Sequence, residues 1–326
     1  MYKGKRWHWV VLISVLTIMI LAGWDKQVQS QEKYPTRAIE ILCPWSPGGG
    51  SDAVARLTAH FLKKKWGVSV SVSNPTGGLG VPATMQVHNA PPDGYTILLD
   101  IDSTTYLLKV AVEDAPVDVM ARTFLSTVTF APFVFMVPAA SPYKTLADLM
   151  TDAKRDPENF NYAAGGINQV AVFRQLFTTF GFEDFRRAKI VMTKGGAEST
   201  VLIAGNHVKV GTTTPITCRA AVKAGTVKLL AITYARDPDY PDVPTAAELG
   251  YPSINYVHWV GFSGPPKLPP YIVKAWEDAC QEMLKDPETI SRLKTMGIYP
   301  FYKNSVELRQ YGSEKMVEAK KWFGLK

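Results

Sequence analysis

The stretch "AIEILCPWSPGGGSDAVARL", Ala38–Leu57, joins an apolar run to an amphipathic run through three consecutive glycines. The apolar part predicts a short β-strand over Ile39–Pro44, and the part after the glycines predicts a helix with one apolar face. Ser51 is expected to cap this helix, and Gly67 is expected to end it. A strand, a glycine loop and a helix in this order indicate either a loop whose backbone N–H groups bind an anion or a tight strand-to-helix turn without a ligand.

The same order recurs in "NYAAGGINQVAVFRQLF", 161–177, where a strand over Phe160–Ala163 leads through Ala164–Gly166 into a second amphipathic helix. The two units are too different in sequence to be a repeat. Other predicted strands, such as "VSVSVSN" (68–74) and "YTILLD" (95–100), alternate with predicted helices, which indicates an α/β fold with a largely parallel sheet. A chain of 326 residues suits two domains of about 100–150 residues each.

The N-terminus has the features of an export signal. Three basic residues within the first six positions precede the apolar run Trp9–Gly23. The run is shorter than the roughly 20 residues of a membrane span, so we predict a signal peptide over 1–30 that is cleaved near Gln31. The mature protein is then expected in the periplasm, with an uncleaved anchor as the alternative. Trp24 stands where a lipidated cysteine would be needed, so no lipid anchor is expected there.

Composition and motifs argue against several classes of function. The net charge of +7 comes with no basic block interleaved with aromatics, so no nucleic-acid partner is expected. Cys43, Cys218 and Cys280 lack metal-ligand spacing, and Cys43 in its apolar strand is interpreted as a buried small hydrophobe. The chain has no phosphate-binding G-x-x-x-x-G-K, no G-x-G-x-x-G and no G-x-S-x-G, so neither a metal, a cofactor nor an enzymatic activity is predicted. His258, beside Trp259, is interpreted as structural or partly exposed.

The opening stretch resembles the start of the solute-binding receptors of tripartite tricarboxylate transporters, also called Bug receptors. Their pattern is a Tyr-Pro, a strand, and a Pro-aromatic-x-x-Gly-Gly-x-x-Asp loop, which Pro44, Trp45, Gly48, Gly49 and Asp52 match. Similar stretches follow along nearly the whole mature chain: "APPDGYTILL" (90–99), "KTLADLMTDAKRDPENFNYAAGG" (144–166), "KGGAES" (194–199), "AGTVKLLAIT" (224–233) and "YPDVPTAAELGYP" (240–252).

The resemblance implies a two-domain type II periplasmic-binding-protein fold with a cleft between the domains. Domain 1 is expected to hold 31–131 and 260–326, domain 2 to hold 132–259, and the crossing segments to lie near 130–137 and 255–262. The implied function is capture of a small carboxylate, a di- or tricarboxylate or an aromatic acid, by a monomer that serves membrane transporter subunits. A ligand-sensing subunit of a signalling system and an enzyme acting on a carboxylate remain the alternatives.

The resemblance also implies the ligand-binding residues. They belong to the two glycine loops, the end of the "YTILL" strand, the "KGG" loop and the "TTT" stretch: Trp45, Ser46, Pro47, Gly48, Gly49, Asp102, Ser103, Thr104, Ala163, Ala164, Gly165, Gly166, Ile167, Lys194, Gly195, Thr213 and Thr214. Trp45 replaces the family's usual Phe and is expected to stack on or shield the ligand, with packing between the domains as the alternative. Thr213 or Thr214 replaces an acidic residue that meets amino groups, which argues against an amino-acid ligand. Asp100 and Asp102 would repel an acid, so they are expected to cap or face away.

Overall fold

The structure is a computed structural model that describes residues 33–45, 47–111, 116–193 and 195–325. The predicted signal peptide, 1–30, lies outside the described residues. From Pro35 onward the chain forms one compact unit. Among the described helices, none is both long enough and apolar enough to cross a membrane.

Two β-sheets organise this unit. The first has the strand order β11-β4-β10-β3-β1-β2, and its strands are β1 (Ile39–Leu42), β2 (Val70–Ser73), β3 (Thr96–Ile101), β4 (Thr123–Pro132), β10 (Val257–Gly264) and β11 (Tyr299–Lys303). The second has the order β7-β6-β8-β5-β9, and its strands are β5 (Val134–Pro138), β6 (Asn161–Ala164), β7 (Lys189–Met192), β8 (Val210–Thr213) and β9 (Val227–Ile232).

Both sheets are mixed, so the expectation of a largely parallel sheet is wrong. β1 pairs in parallel with β2 and β3, and β6 pairs in parallel with β7 and β8. β10 and β5 run antiparallel to their neighbours. The reason is that β5 and β10 are the strands by which the chain passes from one sheet to the other. The chain leaves the first sheet between Pro132 and Val134 and returns to it between Ile232 and Val257.

Helices cover the sheets. The described residues hold the α-helices α1 (Gly50–Trp66), α2 (Val81–His88), α3 (Tyr106–Ala111), α4 (Leu146–Arg155), α5 (Ile167–Thr179), α6 (Gly196–Ala204), α7 (Pro215–Lys223), α8 (Pro270–Met283), α9 (Pro287–Thr295) and α10 (Ser305–Phe323). Short 3₁₀ helices occur at Gly78–Gly80, Asp102–Thr104, Pro157–Asn159 and Glu183–Arg187.

The helix after the first glycine loop begins earlier than its sequence indicates. Gly67 ends α1 in the left-handed conformation with φ of 71°, as predicted. The predicted cap at Ser51 is wrong, because Gly49 is the N-cap and makes no side-chain capping bond. The carboxylate of Asp52 instead accepts a hydrogen bond from the backbone N–H of Gly48, outside the helix. The first turn of α1 therefore keeps its N–H groups free of any capping side chain.

A shared core joins the two sheets. Trp259 of β10, Phe135 of β5 and Trp322 of α10 belong to one cluster of buried apolar side chains. Cys43, Cys218 and Cys280 are also buried, and all three are free thiols. The burial predicted for Cys43 is thus confirmed, and it raises the pKa of that thiol to about 11.

Candidate functional site

Two adjoining cavities lie between elements of the two sheets. The glycine cavity, of about 410 Å³, is lined by Pro44, Trp45, Gly49, Gly50, Ser51, Thr76, Gly77, Leu79, Ile101, Ser103, Gly165, Gly166, Ile167, Asn168, Gln169, Gly195, Gly196 and His258. The threonine cavity, of about 230 Å³, is lined by Gly50, Ser51, Thr129, Phe130, Ala131, Phe133, Asn168, Gln169, Gly196, Thr213, Thr214, Ile216, Thr217, His258, Val260 and Ile298. Because they share six of these residues, they form one continuous cleft.

Four helices begin at this cleft. The first residues of α1, α5 and α6 line it, and so does Thr214, the N-cap of α7. None of the four N-caps makes a side-chain capping bond, and in α1, α5 and α6 the N-cap is a glycine. A helix N-terminus carries unpaired N–H groups and a partial positive charge. Four such ends on one cleft provide a site for an anion.

The described lining of both cavities contains no Asp, Glu, Lys or Arg. Its polar side chains are hydroxyls, amides, the Trp45 indole and one imidazole, that of His258. Hence an anion in the cleft would be met mainly by backbone N–H groups and neutral donors. No described residue of the lining would supply a carboxylate to an amino group.

The first glycine loop is braced by a buried carboxylate. Asp52 accepts hydrogen bonds from the Gly48 N–H (2.9 Å), Arg56 Nε (2.9 Å) and Asn74 Nδ2 (3.0 Å). Asn74 Nδ2 also donates to the carbonyl of Trp45 at 2.8 Å. Burial by itself would raise the pKa of Asp52, but the bonds from Arg56, Gly48 and Asn74 outweigh it and hold that pKa below its usual value. The network ties both ends of the loop to α1.

The second glycine loop is held by close packing instead of charge. A Cβ placed on Gly165 would lie 2.3 Å from the Cα of Gly195, and one on Gly196 would lie 1.9 Å from Thr213 Oγ1. The Gly165 N–H also donates to the side-chain oxygen of Gln169. Only glycine allows the loop at Gly165 to approach the loop at Gly195 this closely, so the packing requires glycines on this side of the cleft.

Two acidic residues near the cleft, Asp100 and Asp102, would repel an anion if they faced it, and neither lines the cavities. Asp100 and Arg122 form a fully buried ion pair at 3.1 Å. Ser263 Oγ also donates to Asp100 at 2.7 Å, and Arg122 Nη2 donates to the carbonyl of Thr104 at 2.8 Å. Asp100 therefore faces away from both cavities. Its partner Arg122 carries no motif that would have singled it out in the sequence.

Asp102 lies beneath His258. Its buried carboxylate accepts hydrogen bonds from the Tyr256 hydroxyl (2.5 Å) and the Ser103 N–H (2.8 Å), and His258 Nδ1 is 3.4 Å away. Burial raises the pKa of Tyr256 well above its usual value, so this hydroxyl remains a hydrogen-bond donor. Asp102 does not line either cavity, whereas His258 lines both. The imidazole thus separates this carboxylate from the cleft.

The structure brings many of the predicted site residues to the cleft: Trp45, Gly49, Ser103, Gly165, Gly166, Ile167, Gly195, Thr213 and Thr214. Others do not line it: Pro47 and Gly48 are exposed outside the cavities, Ala163 and Ala164 are buried in β6, and Asp102 and Thr104 are buried in hydrogen bonds to other protein groups. Ser46 and Lys194 lie outside the described residues.

Several lining residues were not identified from the sequence. Asn168 and Gln169 directly follow the second glycine loop, so the first turn of its helix could have been included in the prediction. His258 alternates with the core residue Trp259 along β10, which places the two on opposite faces. Thr129 has no local signal at all, because only the pairing of β4 with β10 brings it to the cleft.

Comparison with known proteins identifies the family. A family model described as the tripartite tricarboxylate transporter family receptor matches residues 54–323. Protein BugT of Bordetella pertussis is 25% identical over 317 residues, which cover 96% of each chain.

Solved structures share the fold. MatC from Rhodopseudomonas palustris, solved with bound malate, has a TM-score of 0.76 at 23% identity, covering 89% of this chain and 99% of MatC. A second R. palustris protein, solved with adipate, has a TM-score of 0.77 at 23% identity and covers 90% of this chain and 99% of its own. The two-domain periplasmic-binding-protein fold predicted from sequence is thereby confirmed. The chain belongs to the receptors of the tripartite tricarboxylate transporter family, whose members are solute-binding receptors rather than enzymes.

Proposed function

We propose that this receptor captures a small carboxylate in the cleft and delivers it to the membrane subunits of a tripartite tricarboxylate-type transporter. The observation that carries the proposal is the meeting of four helix N-termini, each without a capping side chain, at a cleft with no charged residue in its described lining. Two solved structures with a similar fold hold malate and adipate, both of which are carboxylates.

A plain carboxylate fits this cleft better than an amino acid. Backbone N–H groups and the partial charges of helix ends stabilise negative charge, and they do so without a cationic side chain. An amino acid would also bring an ammonium group, which needs a carboxylate or several acceptors when it leaves water. Thr213 and Thr214 offer hydroxyls there, and the described lining has no acidic side chain.

Trp45 is proposed as a wall of the ligand site. It lines the glycine cavity, and its indole Nε1 is buried with no hydrogen-bond partner among the described residues. An indole N–H usually finds a partner when it is buried. A bound carboxylate or another ligand oxygen would provide one, while the ring shields the ligand from water.

The two sheets are proposed to belong to two domains that close on the ligand. Domain 1 would comprise 31–131 and 260–326, and domain 2 would comprise 132–259. The Tyr299 hydroxyl of β11 donates to the carboxylate of Asp237, beyond β9, at 2.9 Å, which is the kind of contact that a closed form would use. We further propose export to the periplasm by the signal peptide 1–30, and action as a monomer without a cofactor.

A thermal-shift screen of carboxylates tests the proposed function. A ligand present at 100 times its Kd adds about 2.7 kcal/mol to the free energy of unfolding. For a protein of this size that corresponds to a rise of several degrees in Tm, since about 1 kcal/mol shifts Tm by roughly 2–4 °C. Amino acids and neutral sugars of similar size serve as controls. If no carboxylate raises Tm, the proposal is contradicted.

A further inference from the structure

His258 is the one titratable side chain in the described lining of the cleft, and the strand geometry explains how it reaches both cavities. Side chains alternate along a strand, so His258 and Val260 face one side of β10 while Trp259 faces the core. The side chain of His258 is 17% exposed. It is therefore neither a surface residue nor a core residue.

An unpaired hydroxyl lies beside it. In the antiparallel pairing of β10 with β4, His258 is opposite Ala131 and Val260 is opposite Thr129. His258 and Thr129 are thus diagonal neighbours on one face of the sheet, within reach of a common ligand. Thr129 is fully buried and lines the threonine cavity, and its Oγ1 has no hydrogen-bond partner among the described residues. A buried hydroxyl without a partner is costly, which indicates that a ligand atom completes it.

The contact with Asp102 determines which protons the imidazole carries. The Asp102 carboxylate already accepts bonds from Tyr256 and Ser103, so it faces His258 Nδ1, 3.4 Å away, as an acceptor. Nδ1 must then carry a proton. In a neutral imidazole the other nitrogen, Nε2, has no proton and would repel a carboxylate. Nε2 becomes a donor only when the ring takes up a second proton.

Few other charges bear on this imidazole. Tyr106 of α3, Tyr256 of β10 and Tyr311 of α10 are close to Asp102, and burial raises the pKa of each well above its usual value, so they stay neutral. After burial, the negative charge of Glu318 in α10 also helps to raise the pKa of Tyr106 and of Tyr311.

The strands beside β10 add no free charge. Asp100 of β3 is paired with Arg122. β4 presents Thr129, Phe130 and Ala131 to the cleft. Among the described residues, the facing lining from the second sheet consists of amides, hydroxyls, a glycine and the apolar Phe133 and Ile216, and none of them is charged.

We propose that His258 and Thr129 form a second anion subsite, in the threonine cavity, where the imidazolium and the hydroxyl hold the distal carboxylate of a dicarboxylate. This inference rests on the proposed function, because the first carboxylate is the one held by the helix N-termini. The imidazole takes a proton from solvent as the dicarboxylate binds, donates Nε2–H to it and keeps Nδ1–H on Asp102. The receptor therefore selects dicarboxylates over monocarboxylates, and it binds them more tightly at lower pH.

The experiment compares matched ligands by isothermal titration calorimetry. Adipate is titrated against hexanoate and succinate against butyrate, since each pair shares a chain length and differs by one carboxylate. Titrations are made at about pH 6 and about pH 8, between which histidine ordinarily changes charge. Two buffers of different ionisation enthalpy at each pH give the number of protons taken up. The variants are His258→Gln, Thr129→Val and Asp102→Asn, with the exposed His207→Gln as the matched control.

The wild type and His207→Gln are expected to bind at least one dicarboxylate tenfold or more tightly at pH 6 than at pH 8, with proton uptake. His258→Gln and Asp102→Asn lose both the pH dependence and the proton uptake. Thr129→Val weakens dicarboxylate binding several-fold and leaves monocarboxylate binding within about twofold. Melting curves of each variant confirm that it is folded, and the wild-type proton uptake remains decisive if one variant is not.

Different failures have different meanings. If monocarboxylates bind the wild type as tightly as dicarboxylates, or if His258→Gln keeps the wild-type pH dependence, the second subsite is overturned and the proposed function stands. If no carboxylate binds at any pH, both the proposed function and this inference are overturned.

Discussion

The two walls of the cleft hold similar strand–glycine loop–helix units by different means. The wall of the first sheet is braced by buried charges, in which Asp52 ties the loop to Arg56 and Asp100 is paired with Arg122. In the wall of the second sheet, the described loop residues form no such ion pair, and Gly165 instead packs against the backbone of Gly195. Both arrangements leave the helix N-termini free of capping side chains.

This difference means that the two walls should respond to different perturbations. Charge bracing depends on protonation and on keeping both partners, whereas close backbone packing depends on side-chain volume. We therefore expect pH and charge substitutions to act mainly on the first wall, and the addition of a methyl group to act mainly on the second.

The largest effect is expected from Arg122→Met. This change leaves Asp100 buried without its cation, and breaking a buried ion pair costs about 3–5 kcal/mol. Urea denaturation measures the loss. The double variant Arg122→Met/Asp100→Leu is expected to recover part of it, because the unpaired charge is then gone. A single variant as stable as the wild type would show that this pair does not brace the wall.

Gly165→Ala is expected to have the next largest effect. Its Cβ would lie 2.3 Å from the Cα of Gly195, so the two loops must separate. Overpacking of this kind costs about 1–3 kcal/mol, and separation of the loops should also weaken carboxylate binding. Gly50→Ala is the matched control for stability, because a Cβ there meets no atom within 4 Å. Equal Tm values for the two variants would contradict the close-packed wall.

Asp52→Asn tests the charge bracing of the first loop. We expect a loss of about 1–2 kcal/mol at neutral pH, at the lower end for hydrogen bonds to a charge because Arg56 is half exposed. The folded pKa of Asp52 is lowered, so its contribution is present above about pH 4, the unfolded carboxyl value, and is lost as pH falls through the folded pKa. The stability difference between wild type and variant should therefore shrink in acid.

A second carboxylate distinguishes stability from binding. The Asp148 carboxylate accepts hydrogen bonds from the backbone N–H groups of Lys144 and Thr145 at the start of α4. These bonds also lower the pKa of Asp148. Asp148→Asn should destabilise the protein without changing carboxylate affinity, whereas Asp52→Asn should change both. If calorimetry finds the same affinity for the two variants, Asp52 has no part in shaping the ligand loop.

At Trp45 the expected effect is on ligand affinity instead of stability. Replacing Trp45 with Ala should weaken carboxylate binding more than tenfold, a loss above about 1.4 kcal/mol, if the indole contacts the ligand. Trp45→Phe keeps a ring and loses the N–H, so it separates shielding from hydrogen bonding. Unchanged affinity of the Ala variant in calorimetry would remove Trp45 from the site.

Local sequence patterns predicted the strands, glycine loops and helices, but they did not predict which side chains of distant elements meet. The two strand–glycine loop–helix units follow from neighbouring residues and are confirmed. The capping box of Thr145 and Asp148 at the start of α4 is another pattern of neighbouring residues. A similar box at Thr245–Glu248 forms its reciprocal hydrogen bonds without an α-helix, because the chain turns there toward β10.

The missed site residues depend on distant pairings. Arg122 meets Asp100 across the sheet, and Thr129 reaches the cleft through the pairing of β4 with β10. No spacing within the sequence records these contacts. For the same reason, the sequence alone does not show that Asp102 meets Tyr256 and His258, which lie 154 and 156 residues further along the chain.

A crystal structure with the tightest carboxylate from the thermal-shift screen tests whether both walls hold the ligand. We expect carboxylate oxygens at about 2.7–3.2 Å from backbone N–H groups in the first turns of α1 and α5. A ligand bound outside the cleft, or one whose carboxylates meet neither helix N-terminus, would contradict the proposed carboxylate receptor.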